Sequence, residues 1–154
     1  MLNGTGPDAP AVRAVVFDLD GTLVDSAADI AAALSDVFED AGLPRVDAET
    51  VEAALGFGAF QLVRTVLAAV DPVRAANDEE VSELLERYLV RYAADPARFA
   101  TVYADGVAAV TVLSRAGVRL GVCTNKDTAL SEAVLSAVGL GGLIDVVLGR
   151  DSVP

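Results

Sequence analysis

The spacing of hydrophobic residues differs between the two parts of the chain before and after residue 100. After residue 100, short apolar runs of strand length alternate with stretches of helical spacing. This alternation predicts strands over 119–124 and 144–148, with helices over 106–116 and 127–138. An earlier apolar run, with branched and aromatic residues, predicts a first strand over 13–18. The strand–helix–strand order predicts an α/β fold whose sheet is parallel and whose crossovers are right-handed.

The stretch between the first strand and residue 100 shows helical spacing throughout, which predicts an all-helical insertion. The helices are expected over 29–41, 48–55, 59–70 and from Asn77 through Tyr92. We therefore expect residues 1–25 and 101–154 to form one α/β unit and residues 26–100 to form the insertion. Residues 1–12 read as a loose leader.

Several helix starts carry capping signals. Ser26 with Asp29 and Asn77 with Glu80 have the spacing of capping boxes, and Asp47 can cap the second helix. The Gly56-Phe57-Gly58 run predicts a break between the second and third helices.

Composition excludes several classes of function. The net charge of −12 disfavours nucleic acid and anionic membranes as partners, and 53% hydrophobic residues suffice for a core. The chain has no histidine, which excludes His-based serine triads and His-ligated zinc. Cys123, the single cysteine, is expected to be a small buried hydrophobic residue. With no visible secretory signal or bilayer-length apolar run, we expect a cytoplasmic protein; no pattern indicates its oligomeric state.

The most informative chemistry follows the first strand. Asp18 and Asp20 are two residues apart, so an extended backbone would turn both carboxylates toward one spot at the strand's carboxyl end. Two like charges this close favour a bound cation, and oxygen ligands favour Mg²⁺. An aspartate here can attack phosphorus while its neighbour exchanges protons with the leaving group and water. Gly21 permits close approach of a ligand to the backbone, and Thr22 offers a hydroxyl.

A second candidate group, Thr124-Asn125-Lys126, follows a later strand and precedes a helix. A hydroxyl, backbone N–H groups and a helix N-terminus are suited to binding phosphate. The alternative is an ordinary turn with an exposed lysine.

These segments together resemble a known family. Phe17 to Ser26, FDLDGTLVDS, resembles the first motif of the haloacid dehalogenase-like (HAD) hydrolases in its phosphatase form. Thr124 to Lys126 resembles the second motif of the phosphoglycolate phosphatase branch. Residues 103–107 resemble the segment that returns from a helical cap to a Rossmann-like core, and the Gly56 to Gly58 run resembles a cap loop. The likeness covers nearly the whole chain from residue 13 onward.

The resemblance implies roles for these residues. Asp18 would be the nucleophile and a magnesium ligand, and Asp20 the general acid and base, with its backbone carbonyl on the metal. Thr124, the Asn125 N–H and Lys126 would bind the phosphate. The helical insertion would be a mobile cap, with Gly56 to Phe60 as a specificity loop.

The implied activity is hydrolysis of a small phosphorylated metabolite, 2-phosphoglycolate first, with another sugar phosphate or a nucleotide as the alternative. Related dehalogenases lack an acid/base at the position of Asp20, and phosphonate-cleaving relatives need a cap lysine, which residues 26–100 lack. Phosphoglucomutase-type relatives generally use a cap histidine and lysine, which are also absent.

The chain departs from the family at its end. The resemblance places a third-motif lysine and a fourth, acidic motif after the position of Pro154, and the strand of that fourth motif beside the first strand. We therefore expect an incomplete sheet with an exposed apolar edge at the first strand, low stability and weak activity. An inactive fragment or pseudoenzyme is the competing interpretation.

Overall fold

The computed structural model describes residues 12–152, so the expected leader lies, except for Val12, outside the described residues. The elements, in chain order, are β1 (Ala14–Phe17), β2 (Val24–Asp25), α1 (Ala27–Asp40), α2 (Ala48–Glu52), α3 (Ala59–Val70), α4 (Pro72–Ala75), α5 (Asp78–Ala94), β3 (Thr101–Val102), α6 (Ala104–Arg115), β4 (Arg119–Cys123), α7 (Thr128–Ala137) and β5 (Val146–Leu148). No helix among these residues is both long enough and apolar enough to span a bilayer.

The main sheet has the order β1-β4-β5, and both pairings are parallel. Val15 pairs with Leu120, and Val122 pairs with Val147. Parallel strands end at the same edge of a sheet, so β1 and β4 bring Asp18 and Thr124 to one side of the molecule. The predicted α/β fold with a parallel sheet is confirmed. Within residues 12–152, β1 is an edge strand, as expected.

The two faces of this sheet differ. Leu120 and Val122 are buried on one face, where they pack with apolar residues of α6 and α7. On the other face Val16 is 64% exposed, and Val146 and Leu148 are also exposed.

Cys123 is exposed, so the expectation of a buried cysteine was wrong. Side chains alternate along a strand, so Cys123 lies on the face of β4 opposite Val122. Hydrophobicity of the surrounding run indicated burial, but one face of the sheet is uncovered by the described residues.

The helical segment builds its own hydrophobic cluster. Helices α1, α3 and α5 contribute fully buried residues such as Leu34, Val63 and Val81. Beside this cluster, β2 and β3 pair antiparallel at the two points where the chain enters and leaves the helices. The hydrophobic pattern did not predict these two-residue strands or the short helix α4.

Helix capping agrees only in part with the sequence. Asp47 accepts a hydrogen bond from the Thr50 N–H, as predicted, and Asn77 accepts from the N–H groups of Glu79 and Glu80. The other half of the predicted Asn77–Glu80 capping box does not form, because the Glu80 carboxylate accepts from Arg74 Nε instead. The Ser26–Asp29 capping box was wrong, because the Ser26 side chain makes no capping bond. Both side chains are engaged elsewhere: Ser26 Oγ donates to Asp20 Oδ1, and Asp29 Oδ1 accepts from the Phe99 N–H.

Gly149, directly after β5, provides a test of this packing. A Cβ there would collide with the backbone nitrogen of Thr128 and the carbonyl oxygen of Lys126. We expect Gly149→Ala to lower the free energy of unfolding by about 1–3 kcal/mol through overpacking, measured by urea denaturation. The matched control is Gly142→Ala, where a Cβ meets nothing within 4 Å. Equal stability of the two variants would contradict the close packing of the β5–α7 junction.

Candidate active site

One cavity lies where the carboxyl ends of β1 and β4 face the helical segment. Its charged and polar lining comes from the segments that follow three strands: Asp18, Asp20, Thr124, Asn125, Lys126, Asp127 and Arg150. Its apolar lining comes from α1, the α2–α3 loop, α3, α5 and α7, and includes Ile30, Leu62 and Tyr88. Five of the seven sequence-predicted site residues therefore line one cavity.

Asp18 is the exposed carboxylate of this cavity. Its Oδ1 accepts a hydrogen bond from the Leu19 N–H at 2.7 Å, which is its one side-chain hydrogen bond among residues 12–152. No cation of the described chain pairs with it. The second carboxylate oxygen is thus available to an incoming group.

Asp20 has a different environment, because its carboxylate is held by two other side chains. Lys126 Nζ donates to Asp20 Oδ1 at 2.8 Å, and Ser26 Oγ donates to the same oxygen at 2.5 Å. The Lys126 side chain is only 7% exposed and that of Asp20 16% exposed. Lys126 is therefore a buried counter-ion and not the exposed turn lysine of the alternative interpretation.

The same ammonium group also reaches the helical segment. Lys126 Nζ lies 2.9 Å from Tyr92 Oη on α5 and 4.8 Å from the centre of the Tyr92 ring. Tyr92 stacks on Tyr88, with ring centres 5.6 Å apart. Burial, together with the nearby negative charge of Asp20, raises the pKa of both tyrosines far above the usual value. Both phenols therefore stay neutral around the ion pair.

Thr124 and Asn125 occupy the turn after β4. The buried Thr124 is anchored by its backbone N–H, which donates to the Leu148 carbonyl at 3.0 Å, while its Oγ1 accepts from the Lys126 N–H at 3.3 Å. Asn125 Nδ2 donates to the Gly56 carbonyl at 2.8 Å. Gly56 and Gly58 both have positive φ, which gives the α2–α3 loop the sharp shape that brings this carbonyl to Asn125.

Gly21 and Thr22 are not among the residues that line the cavity. Both are exposed in a turn in which the N–H groups of Thr22, Leu23 and Val24 all point to the Leu19 carbonyl. Gly21 adopts φ 77°, the conformation that favours glycine. The structure thus gives these two residues a place in the turn and does not bring them together with Thr124.

Sequence reasoning missed five residues of this site: Ser26, Tyr88, Tyr92, Asp127 and Arg150. Arg150 follows β5, and its Nε donates to Asp127 Oδ1 at 2.5 Å. The rule that pointed to the ends of the first two strands applies equally to the third, so it could have found Arg150. The aromatic pair carried only a helical spacing, which indicated core packing.

The side chains of the cavity can supply only some of the ligands that a divalent cation needs. No group of three or more His, Cys, Asp or Glu residues suited to a metal occurs within residues 12–152. Mg²⁺ in proteins commonly takes one or two carboxylates and fills its remaining positions with water and substrate phosphate. The available oxygen of Asp18 fits that pattern, and the excess of acidic over basic groups in the cavity favours a cation.

The chain is similar in sequence to bacterial phosphoglycolate phosphatases. The chain is 43% identical over 141 residues to the phosphoglycolate phosphatase of Cereibacter sphaeroides (strain ATCC 17029), covering 91% of this chain and 63% of that protein. It is 39% identical over 142 residues to the phosphoglycolate phosphatase of Rhodospirillum rubrum, again over 91% of this chain and 59% of that one. The chain thus spans about three fifths of the length of these curated relatives.

A structural comparison and a family model agree with the similarity to these relatives. A crystal structure described as a predicted phosphoglycolate phosphatase from Haemophilus somnus 129PT superposes with a TM-score of 0.81 at 27% identity, covering 92% of this chain and 64% of that one. The family model for haloacid dehalogenase-like hydrolases matches residues 12–154. The chain belongs to the haloacid dehalogenase-like hydrolase family.

Proposed function

We propose that the protein is a phosphatase that hydrolyses a small phosphomonoester, with 2-phosphoglycolate as its substrate. The proposal rests on one observation: two carboxylates with different environments line the same cavity. Asp18 has an oxygen available to substrate, whereas Asp20 is held in place by Lys126. The names of the relatives support the substrate. A small phosphorylated metabolite and a single cysteine also agree with the expected cytoplasmic location.

In the proposed mechanism, an Asp18 carboxylate oxygen attacks the phosphorus in line with the leaving alkoxide. The bond between phosphorus and the leaving oxygen breaks, and Asp20 gives that oxygen a proton. Asp20 then takes a proton from water, which attacks the aspartyl-phosphate and releases inorganic phosphate and free Asp18. The hydroxyl of Thr124 and the N–H of Asn125 bind the phosphoryl oxygens during both steps.

The Asp18 carboxylate and the Asp20 backbone carbonyl would hold Mg²⁺. When bound, this ion would offset the charge of the phosphate beside the acidic residues of the cavity. The residues of the chain would then orient the phosphate and exchange the protons.

Lys126 has a positioning role in this mechanism. Its ammonium, together with Ser26, fixes the orientation of Asp20, so the acid/base is held beside the cavity before substrate arrives. Phosphate binding by Lys126, the role expected from sequence, would use the one N–H that is not directed at Asp20 or Tyr92.

We also propose that residues 26–100 act as a cap over the α/β unit. Two separate hydrophobic clusters support this division, as does the pairing of β2 with β3 at the two crossings. The Asn125–Gly56 hydrogen bond would connect the phosphate turn to the specificity loop, Gly56 to Phe60. Closure of the cap over the bound substrate would exclude bulk water from the cavity while the phosphoryl group is transferred to Asp18.

The mechanism is tested by trapping the intermediate on Asp18. With p-nitrophenyl phosphate and Mg²⁺, we expect an acid-quenched sample to show a phosphoryl group on the peptide that contains Asp18, measured by mass spectrometry. Asp18→Asn should abolish the adduct. Asp20→Asn should retain it and slow its hydrolysis by about 10²–10⁴-fold, because p-nitrophenolate leaves without a proton whereas water needs a base.

The competing interpretation of an inactive fragment gives a different result. In that case neither wild type nor Asp20→Asn forms the adduct. Parallel measurement of phosphate release from 2-phosphoglycolate, glucose 6-phosphate and a nucleoside monophosphate tests the substrate.

The role of Lys126 is tested by stability. We expect Lys126→Met to lower the free energy of unfolding by about 3 kcal/mol, because it leaves the largely buried Asp20 carboxylate without its cation. The matched control is Arg87→Met, which breaks the exposed pair with Asp40 and should cost less than about 1 kcal/mol. Urea denaturation measures both, and equal losses would exclude Lys126 as the counter-ion of Asp20.

A further inference from the structure

Two cations of the described chain line the active-site cavity, and they differ in availability. Lys126 is 7% exposed and directs its ammonium to Asp20 and Tyr92. The side chain of Arg150 is 41% exposed and faces the same cavity from the segment after β5. An anion that enters the cavity therefore meets Arg150 as the more accessible positive charge.

Arg150 is held in a defined orientation. Its Nε donates to Asp127 Oδ1 at 2.5 Å and its Nη2 lies 3.4 Å from Asp127 Oδ2. Its backbone N–H donates to the Lys126 carbonyl at 3.1 Å, which fixes the segment against the turn that carries Thr124. A guanidinium has five N–H donors, so three remain after Asp127 has taken two.

The hydrogen bonds at the start of α7 leave the Asp127 side chain available to orient Arg150. Asp127 precedes α7 in the N-cap position, yet its side chain makes no capping bond. Asp151 caps the helix instead, because its Oδ1 accepts from the Thr128 N–H at 2.8 Å and from Thr128 Oγ1 at 2.7 Å. The residue that follows Arg150 thus replaces Asp127 at the helix end, and Asp127 orients the guanidinium.

We propose that Arg150 binds an oxyanion of the substrate in this cavity. The choice of substrate class rests on the proposed phosphatase function; the presence of an anion site at Arg150 does not. A planar guanidinium offers paired N–H groups to two oxygens of a phosphoryl or carboxylate group. Arg150 would also offset part of the negative charge that Asp18, Asp20 and Asp127 place around an incoming anion.

The test is a titration of the full chain, in the presence of Mg²⁺, with inorganic phosphate and separately with glycolate. Chemical shifts in ¹⁵N NMR spectra report weak binding and show in the same spectra whether each variant is folded. We expect Arg150→Met to weaken binding of at least one of the two anions by about 10- to 100-fold, the effect of one lost charge-assisted contact. The anion affected identifies whether the phosphoryl or the carboxylate end of a substrate binds there.

Two further variants make the result specific. Arg87→Met, at an exposed ion pair outside the cavity, should leave both affinities unchanged. Arg150→Gln keeps a donor for Asp127 while it removes the charge, so it serves if Arg150→Met does not fold, and the same loss is expected. Unchanged binding of both anions in a folded Arg150 variant would overturn the proposal, as would absence of binding to wild type.

Thr124→Val separates this inference from the proposed function. If Thr124→Val weakens phosphate binding and the Arg150 variants do not, the phosphate turn stands and the role of Arg150 fails. If the Arg150 variants weaken binding and Thr124→Val does not, the anion site at Arg150 stands and the proposed phosphate turn fails.

Discussion

The ammonium group of Lys126 connects the parts of this structure on which the chemistry depends. It is buried between the Asp20 carboxylate, which follows β1, and the Tyr92 phenol, which lies on α5. A buried ammonium is costly unless its donors are paired, so the sheet and the helical segment must meet in one arrangement to satisfy it. The contact therefore fixes Asp20 and at the same time fixes how α5 lies over the strand ends.

A second polar contact, between Asn125 and the Gly56 carbonyl, crosses the same boundary and is exposed. The two contacts differ in the free energy needed to break them. Water can replace the Asn125 contact at little cost, whereas separating Lys126 from Tyr92 exposes a buried cation and a stacked aromatic pair. In the proposed cap motion, the loop at Gly56 would open more readily than the region around Tyr92.

Much of the fold could be predicted because it depends on local patterns. The bounds of α3, the caps at Asp47 and Asn77, and the parallel order of β1 and β4 all follow from spacing and turn chemistry. Ser26 shows where local reasoning fails, since its hydroxyl had a choice between a helix end and the distant Asp20. Such a choice is made by tertiary packing, which no window of sequence contains.

The candidate site was likewise predictable from sequence only in part. Asp18, Asp20 and the Thr124 turn follow strands and could be placed at one sheet edge from sequence, and their family resemblance assigned them roles. The side chains that surround these residues could not be predicted, because Tyr92 reaches Lys126 and Arg150 reaches the cavity from elements distant in the chain. Gly21 and Thr22 follow Asp20 directly in the chain, but the turn at Leu19 directs them away from the cavity.

The exposed position of Cys123 has a practical consequence. It is the only thiol of the chain, it lies in solvent, and it immediately precedes Thr124 in the turn that faces the cavity. A thiol-reactive fluorophore would attach at one known position without any engineered cysteine. Its emission would report the arrival of a ligand, or movement of the helices above the turn, in the native sequence.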